Sequence, residues 1–167
     1  MPTTAESPRL HHLTWDEFHR DTRALAQRLL ATGKRWRGIV GIARGGLIPA
    51  AIMARELDIR LIDTLCIVSY DRADRQGAAQ ILKAVEGDGS DLLLVDDLVD
   101  TGVTAALARE LLPRATLAAV YAKPAGKANA TYYQREFPQD VWIHFPWDCA
   151  YQNDEYGYAE PLYRHPD

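Results

Sequence analysis

Residues 92–104, Leu-Leu-Leu-Val-Asp-Asp-Leu-Val-Asp-Thr-Gly-Val-Thr, decide how the rest of this 167-residue chain is read. Leu92, Leu93, Leu94 and Val95 run without a polar break, the pattern of a strand buried on both faces of a parallel sheet. The carboxylates Asp96, Asp97 and Asp100 follow, and a Thr-Gly-x-Thr turn then leads into a helical pattern over Ala105–Leu112. The segment therefore predicts a strand, a loop and a helix N-terminus in succession. That is where an α/β sheet places its ligands.

Such a turn suits a phosphate. Backbone N–H groups at a helix start, the positive dipole end and the hydroxyls of Thr101 and Thr104 can together hold a dianion, and Gly102 lets the backbone come close. The preceding carboxylates would repel that dianion, so they are expected to face sugar hydroxyls, a divalent cation or a proton to be removed. Helix capping by Asp100, with Asp97 as a solvated loop residue, is the plain alternative, but a cap needs one carboxylate rather than three. A haloacid-dehalogenase-type phosphatase has acids two apart, whereas Asp97 and Asp100 are three apart. No Gly-Lys-Ser/Thr occurs, which excludes the ordinary NTPase phosphate loop.

The run Val95–Ala105 (VDDLVDTGVTA) resembles the phosphoribosyl-pyrophosphate signature of type I phosphoribosyltransferases. Within that family the likeness is to the bacterial enzymes that act on xanthine and guanine, and it extends roughly over Trp15–Asp148. The resemblance implies an α/β fold with a mainly parallel central sheet flanked by helices, a flexible hood hairpin and one domain over residues 1–167.

Bulk properties agree with one domain. A chain of this length buries about two-thirds of its unfolded surface. The net charge of −4 argues against a generic nucleic-acid binder. Cys66 and Cys149 lie far apart, without metal-ligand spacing or a disulfide framework. With no signal-peptide pattern and no apolar run of about 18 residues, a cytoplasmic location is expected, peripheral attachment to the inner membrane being left open.

Along the chain, residues 1–13 show no periodicity and predict a loose tail. Thr14 and Glu17 have capping-box spacing ahead of a helix that Gly33 ends. Gly38–Ile42 predicts a central strand delivering Arg44-Gly45-Gly46, which reads either as a second anion site made of open amides and a fixed cation or as a tight strand-to-helix turn with a solvent-facing arginine. The resemblance makes this the pyrophosphate loop, with a strained or cis peptide near the arginine. Pro49 sits in the first turn of the next helix, and Arg60–Ser69 predicts a long strand. Residues 70–80 are polar and predict a mobile arm returning through Ile81–Val85; the Ser69-Tyr70 pair resembles the hood that shields an activated sugar from water. Thr116–Tyr121 predicts a buried strand that ends at Lys123, and a short strand is expected near Thr131–Arg135. Residues 149–167 form a Tyr-rich, acidic C-terminal extension.

By resemblance, Asp96, Asp97, Thr101, Gly102, Val103 and Thr104 hold the ribose 5-phosphate, and Asp100 is the general base near purine N7. Lys123 donates to the 6-oxygen, Trp142 stacks on the base, and the Ile143 carbonyl reads the 2-substituent. Mg²⁺ is the implied cofactor, held by Asp96 and Asp97, with Asp148 as a further ligand. Phosphoribosyl pyrophosphate and a 6-oxopurine are the implied substrates, and a homodimer or homotetramer the implied assembly. A hypoxanthine-guanine preference, or a nucleotide-sensing regulator without turnover, are the alternatives. Two residues depart from the pattern: His144 stands where an acid is expected, and Val103 where a second glycine is common.

Overall fold

The computed structural model describes residues 9–69 and 79–148. The chain divides into two compact units, His19–Gln139 and the smaller Met1–Phe18 with Asp140–Asp167.

The larger unit is built on a six-stranded sheet. Its strands are β2 (Gly38–Ala43), β3 (Leu61–Ser69), β4 (Ala79–Lys83), β5 (Leu92–Val99), β6 (Thr116–Ala122) and β7 (Tyr132–Glu136). They lie in the order β4-β3-β2-β5-β6-β7, all pairings parallel except β3 with β4. The expected mainly parallel α/β sheet is what the chain forms.

Alternation along β5 explains why its apolar run has no polar break. Leu92 and Leu94 pack with Val40, Ile42, Leu65, Ala105, Ala108 and Leu112, the last three from α3 (Val103–Leu111) and its end. Leu93 and Val95 pack on the other face with Leu25, Ala26 and Leu29 of α1 (Trp15–Ala31) and with Ala50, Met53 and Ala54 of α2 (Leu47–Glu56). Both faces are covered by helices, so every residue of that run is core.

The topology fixes where a ligand can bind. From β2 the chain moves to β3 on one side, whereas from β5 it moves to β6 on the other, and β2 and β5 are neighbours. The strand order reverses between them, which leaves a crevice beyond their carboxyl ends. The loops after β2, β5 and β6 all emerge at this edge.

The smaller unit pairs β1 (Arg9–His12) with β8 (Val141–His144) in parallel, Arg9 opposite Val141 and His12 opposite His144. Arg9 clasps Asp140 through Nε (2.8 Å) and Nη2 (3.1 Å). Phe18, Phe145 and Trp147 stack or meet edge to face, as core packing of the aromatic segment requires. Expectation and structure differ here: the loose tail read over residues 1–13 includes a strand at Arg9–His12. Four residues are too few to show a period, and only the backbone of Val141–His144 makes them a strand. A second difference concerns β5, which continues through Asp96 and Asp97 to Val99 where a loop was expected. β6 supplies the partners, Asp96 opposite Ala119 and Val99 opposite Ala122.

Helix α1 starts as its spacing predicts. Glu17 N–H donates to Thr14 Oγ1 (3.1 Å) and Thr14 N–H donates to Glu17 Oε2 (3.3 Å), a reciprocal capping box. Thr14→Ala is expected to lower unfolding stability by about 1 kcal/mol. A urea midpoint that does not move would show the cap to be idle.

Candidate active site

Three loops meet at the carboxyl edge of the sheet, and glycine is what lets them approach. After β2, the Ala43–Arg44 peptide is cis. A β-carbon at Gly45 would overlap the Asp97 carboxylate, and one at Gly46 would overlap the Val95 carbonyl and lie 2.7 Å from that of Ile42. The loop after β2 therefore lies directly on the end of β5, and Arg44 extends from it, exposed.

The loops after β5 and β6 interlock in the same way. Gly102 has φ +88°, the left-handed region, and caps α3. A β-carbon there would meet Asn129 and lie 3.0 Å from Gly126 Cα; one on Gly126 would lie 2.5 Å from the Asp100 carbonyl and 2.7 Å from Gly102 N. Neither Asn129 nor Gly126 carried a signal in the sequence, because their role is contact between segments more than twenty residues apart.

Around this scaffold the predicted residues fall as follows. Thr101 is exposed at the turn, Val103 and Thr104 open α3, and Ala106 N–H is the first to bond back, to Gly102 O (2.8 Å). The N–H groups of Val103, Thr104 and Ala105 thus stand at an anion-favouring helix start. Val103 is exposed, so its side chain stands clear of the packed turn beneath.

Asp96 is 7% exposed and Asp97 half-buried. Asp96 Oδ1 accepts from Asp97 N–H (3.0 Å), and Asp97 Oδ1 accepts from Leu98 N–H (2.7 Å). Burial first, and the adjacent Asp97 carboxylate second, push the Asp96 carboxyl well above its usual range, against the pull of the Asp97 amide. A cation would relieve both causes. Among the described residues no group of three or more His, Cys, Asp or Glu side chains is placed to hold a metal. An adjacent carboxylate pair suits a Mg²⁺ ion that keeps waters and takes its other ligands from a substrate, not an all-protein cage.

Asp100 is held on both oxygens. Lys123 Nζ donates to Oδ2 (2.8 Å) and Gln139 Nε2 donates to Oδ1 (2.7 Å). Lys123, only 3% exposed, follows β6, and its own N–H is fixed by Val99 O (2.9 Å). A buried ammonium needs a partner, and Asp100 provides it. Sequence reasoning named both members of this pair without pairing them, and missed Gln139: a lone glutamine in a polar connector gives no sign of what it reaches.

The remaining predicted residues belong to the smaller unit or fall at the margin of the described residues. Trp142, half-buried, and Ile143, buried, stand on β8 of the smaller unit, as does His144, buried edge to face with His12. Asp148 belongs to the same unit, its N–H bonded to Phe145 O (3.0 Å). Ser69 ends β3, whereas Tyr70 and the hood through residue 78 lie outside the described residues, as does the extension from Cys149.

The phosphoribosyl transferase domain model matches residues 13–154. The chain belongs to the phosphoribosyltransferase family. It is 51% identical over 154 residues to the xanthine-guanine phosphoribosyltransferase of Desulfotalea psychrophila, covering 92% of each chain. It is 48% identical over 166 residues to that of Nitratidesulfovibrio vulgaris, covering 99% of this chain and 98% of the other. Among solved structures, a purine phosphoribosyltransferase from Pyrococcus horikoshii superposes with a TM-score of 0.73 at 30% identity, over 87% of this chain and 99% of that one. Family membership agrees with the reading of the signature stretch.

The raised Asp96 carboxyl has a measurable consequence. The unfolded chain gives up that proton at lower pH than the folded one, so stability falls as pH rises from the usual carboxylate range toward the raised value. In chelator-treated protein, Asp96→Asn is expected to remove this part of the fall and to be the more stable chain at neutral pH. Thermal unfolding across pH checks it; a constant difference between the two proteins would refute it.

Proposed function

We propose that this phosphoribosyltransferase carries a ribose 5-phosphate group from 5-phosphoribosyl 1-pyrophosphate to N9 of a 6-oxopurine, with xanthine, guanine and hypoxanthine as acceptors and pyrophosphate as the product. The observation that carries the reading is the meeting, at one sheet edge, of two anion-favouring loops with Asp96 and Asp97 between them and the Asp100–Lys123 pair alongside. The relatives named above are xanthine-guanine enzymes, which favours those bases.

In this reading Arg44, Gly45 and Gly46 hold the pyrophosphate, and Thr101, Gly102, Val103 and Thr104 hold the 5′-phosphate. Fixing the pentose at both ends turns the attack into an intramolecular event. Asp96 and Asp97 face the ribose hydroxyls and would hold Mg²⁺, with Asp148 as a further ligand; the bound ion would supply charge neutralisation for the pyrophosphate leaving group.

Asp100 takes or shares the proton at purine N7 as N9 attacks, and its charge supports the cationic sugar. Lys123 donates to the 6-oxygen, a contact that adenine lacks. Trp142 and Ile143 keep the roles that family resemblance gives them, a stacking ring and a carbonyl directed at the 2-substituent. Ser69 and Tyr70 belong to the hood. One phosphoribosyltransferase domain over residues 1–167 is the working reading, the family model matching residues 13–154 in a single span. A cytoplasmic homodimer or homotetramer is the working assembly. Among the described residues no helix is long and apolar enough to cross a membrane.

Pyrophosphate release with Mg²⁺ and xanthine, guanine, hypoxanthine, adenine or uracil tests the reading. Turnover is expected with the first three and not with the last two; no turnover with any would overturn it. Asp100→Asn is expected to lower kcat by about 10²–10⁴-fold with little change in KM for the sugar phosphate. A wild-type kcat would remove Asp100 from the chemistry.

A further inference from the structure

We infer that Gln139 is a positioning residue that aims the Asp100 carboxylate before and during turnover. The inference rests on the assignment of Asp100 as the base.

Lys123 and Gln139 divide the carboxylate between them, one oxygen each. Lys123 also has to donate to the purine, so its hold on Oδ2 is the one that substrate binding competes for. Gln139 has no such second duty. Its donation to Oδ1 keeps the carboxylate plane fixed, which leaves Oδ2 as the oxygen that meets the purine proton.

The glutamine is itself oriented. Ala125 N–H donates to Gln139 Oε1 (3.0 Å). A backbone N–H can only donate, so the amide oxygen must face it and the NH₂ group must face Asp100. Ala125 sits in a closed turn, with Gly126 N–H (3.1 Å) and Lys127 N–H (2.9 Å) both bonded to Lys123 O. The chain of support thus runs from a turn anchored on β6, through one planar amide, to the base. Gln139 is exposed, and its effect comes from direction, not from burial.

The experiment is a double-mutant cycle, with guanine, phosphoribosyl pyrophosphate and Mg²⁺ as substrates and with unfolding followed in parallel. Gln139→Leu is expected to lower kcat on the order of 10-fold, with KM for the sugar phosphate within about twofold and the melting temperature nearly unchanged. Gln139→Glu, which sets a second carboxylate against the first, is expected to lower kcat further. In an Asp100→Asn background, Gln139→Leu should cost nothing more, because there is no base left to aim. A wild-type kcat for Gln139→Leu, or a full additional loss in the Asp100→Asn background, would overturn the inference while leaving Asp100 in place. A wild-type kcat for Asp100→Asn itself would instead overturn the assignment on which it rests.

Discussion

The parallel pairing of β2 with β5, Gly38 opposite Leu92 through Gly41 opposite Val95, is the constraint on which the rest depends. It joins two strands whose connections leave in opposite directions, so neither of those two connections crosses the gap between their carboxyl ends. It also sets Gly46 on the Val95 carbonyl and Gly45 against the Asp97 carboxylate. The glycine-rich loop after β2 and an acidic strand end are thereby held in close contact. A side chain at either glycine would force them apart.

The electrostatics follow from that closeness. Burial first, and the adjacent Asp97 carboxylate second, raise the proton affinity of Asp96, whereas Asp100, a few residues on, is paired with the buried ammonium of Lys123. One acidic stretch thus contains two environments. The first calls for an added cation, and the second already has one from the chain. This division, and not the number of acids, separates the pair proposed to hold a metal from the candidate base.

Much of the scaffold was legible in the sequence because its signals are local. The unbroken Leu92–Val95 run, the Thr14/Glu17 spacing and the strand ending at Lys123 each carry their reading within a few residues. The misses have the opposite character. Arg9–His12 is a strand only because Val141–His144 lies beside it, and β5 extends through its carboxylates only because β6 supplies hydrogen-bond partners. Polar residues at a strand end look like a loop until the neighbour that accepts their backbone is known.

The sequence by itself determined the Thr-Gly-x-Thr turn, the acids ahead of it, the glycine-rich loop and the main strands and helices of the larger unit, since these rest on side-chain chemistry at short spacing. Tertiary structure alone decided that Lys123 and Gln139 would share the two oxygens of Asp100, and that Gly126 would seat against Gly102. Those pairings join residues 23 and 39 positions apart in one case and loops from different strands in the other. No local pattern encodes them. They arise only when the sheet sets its carboxyl ends side by side.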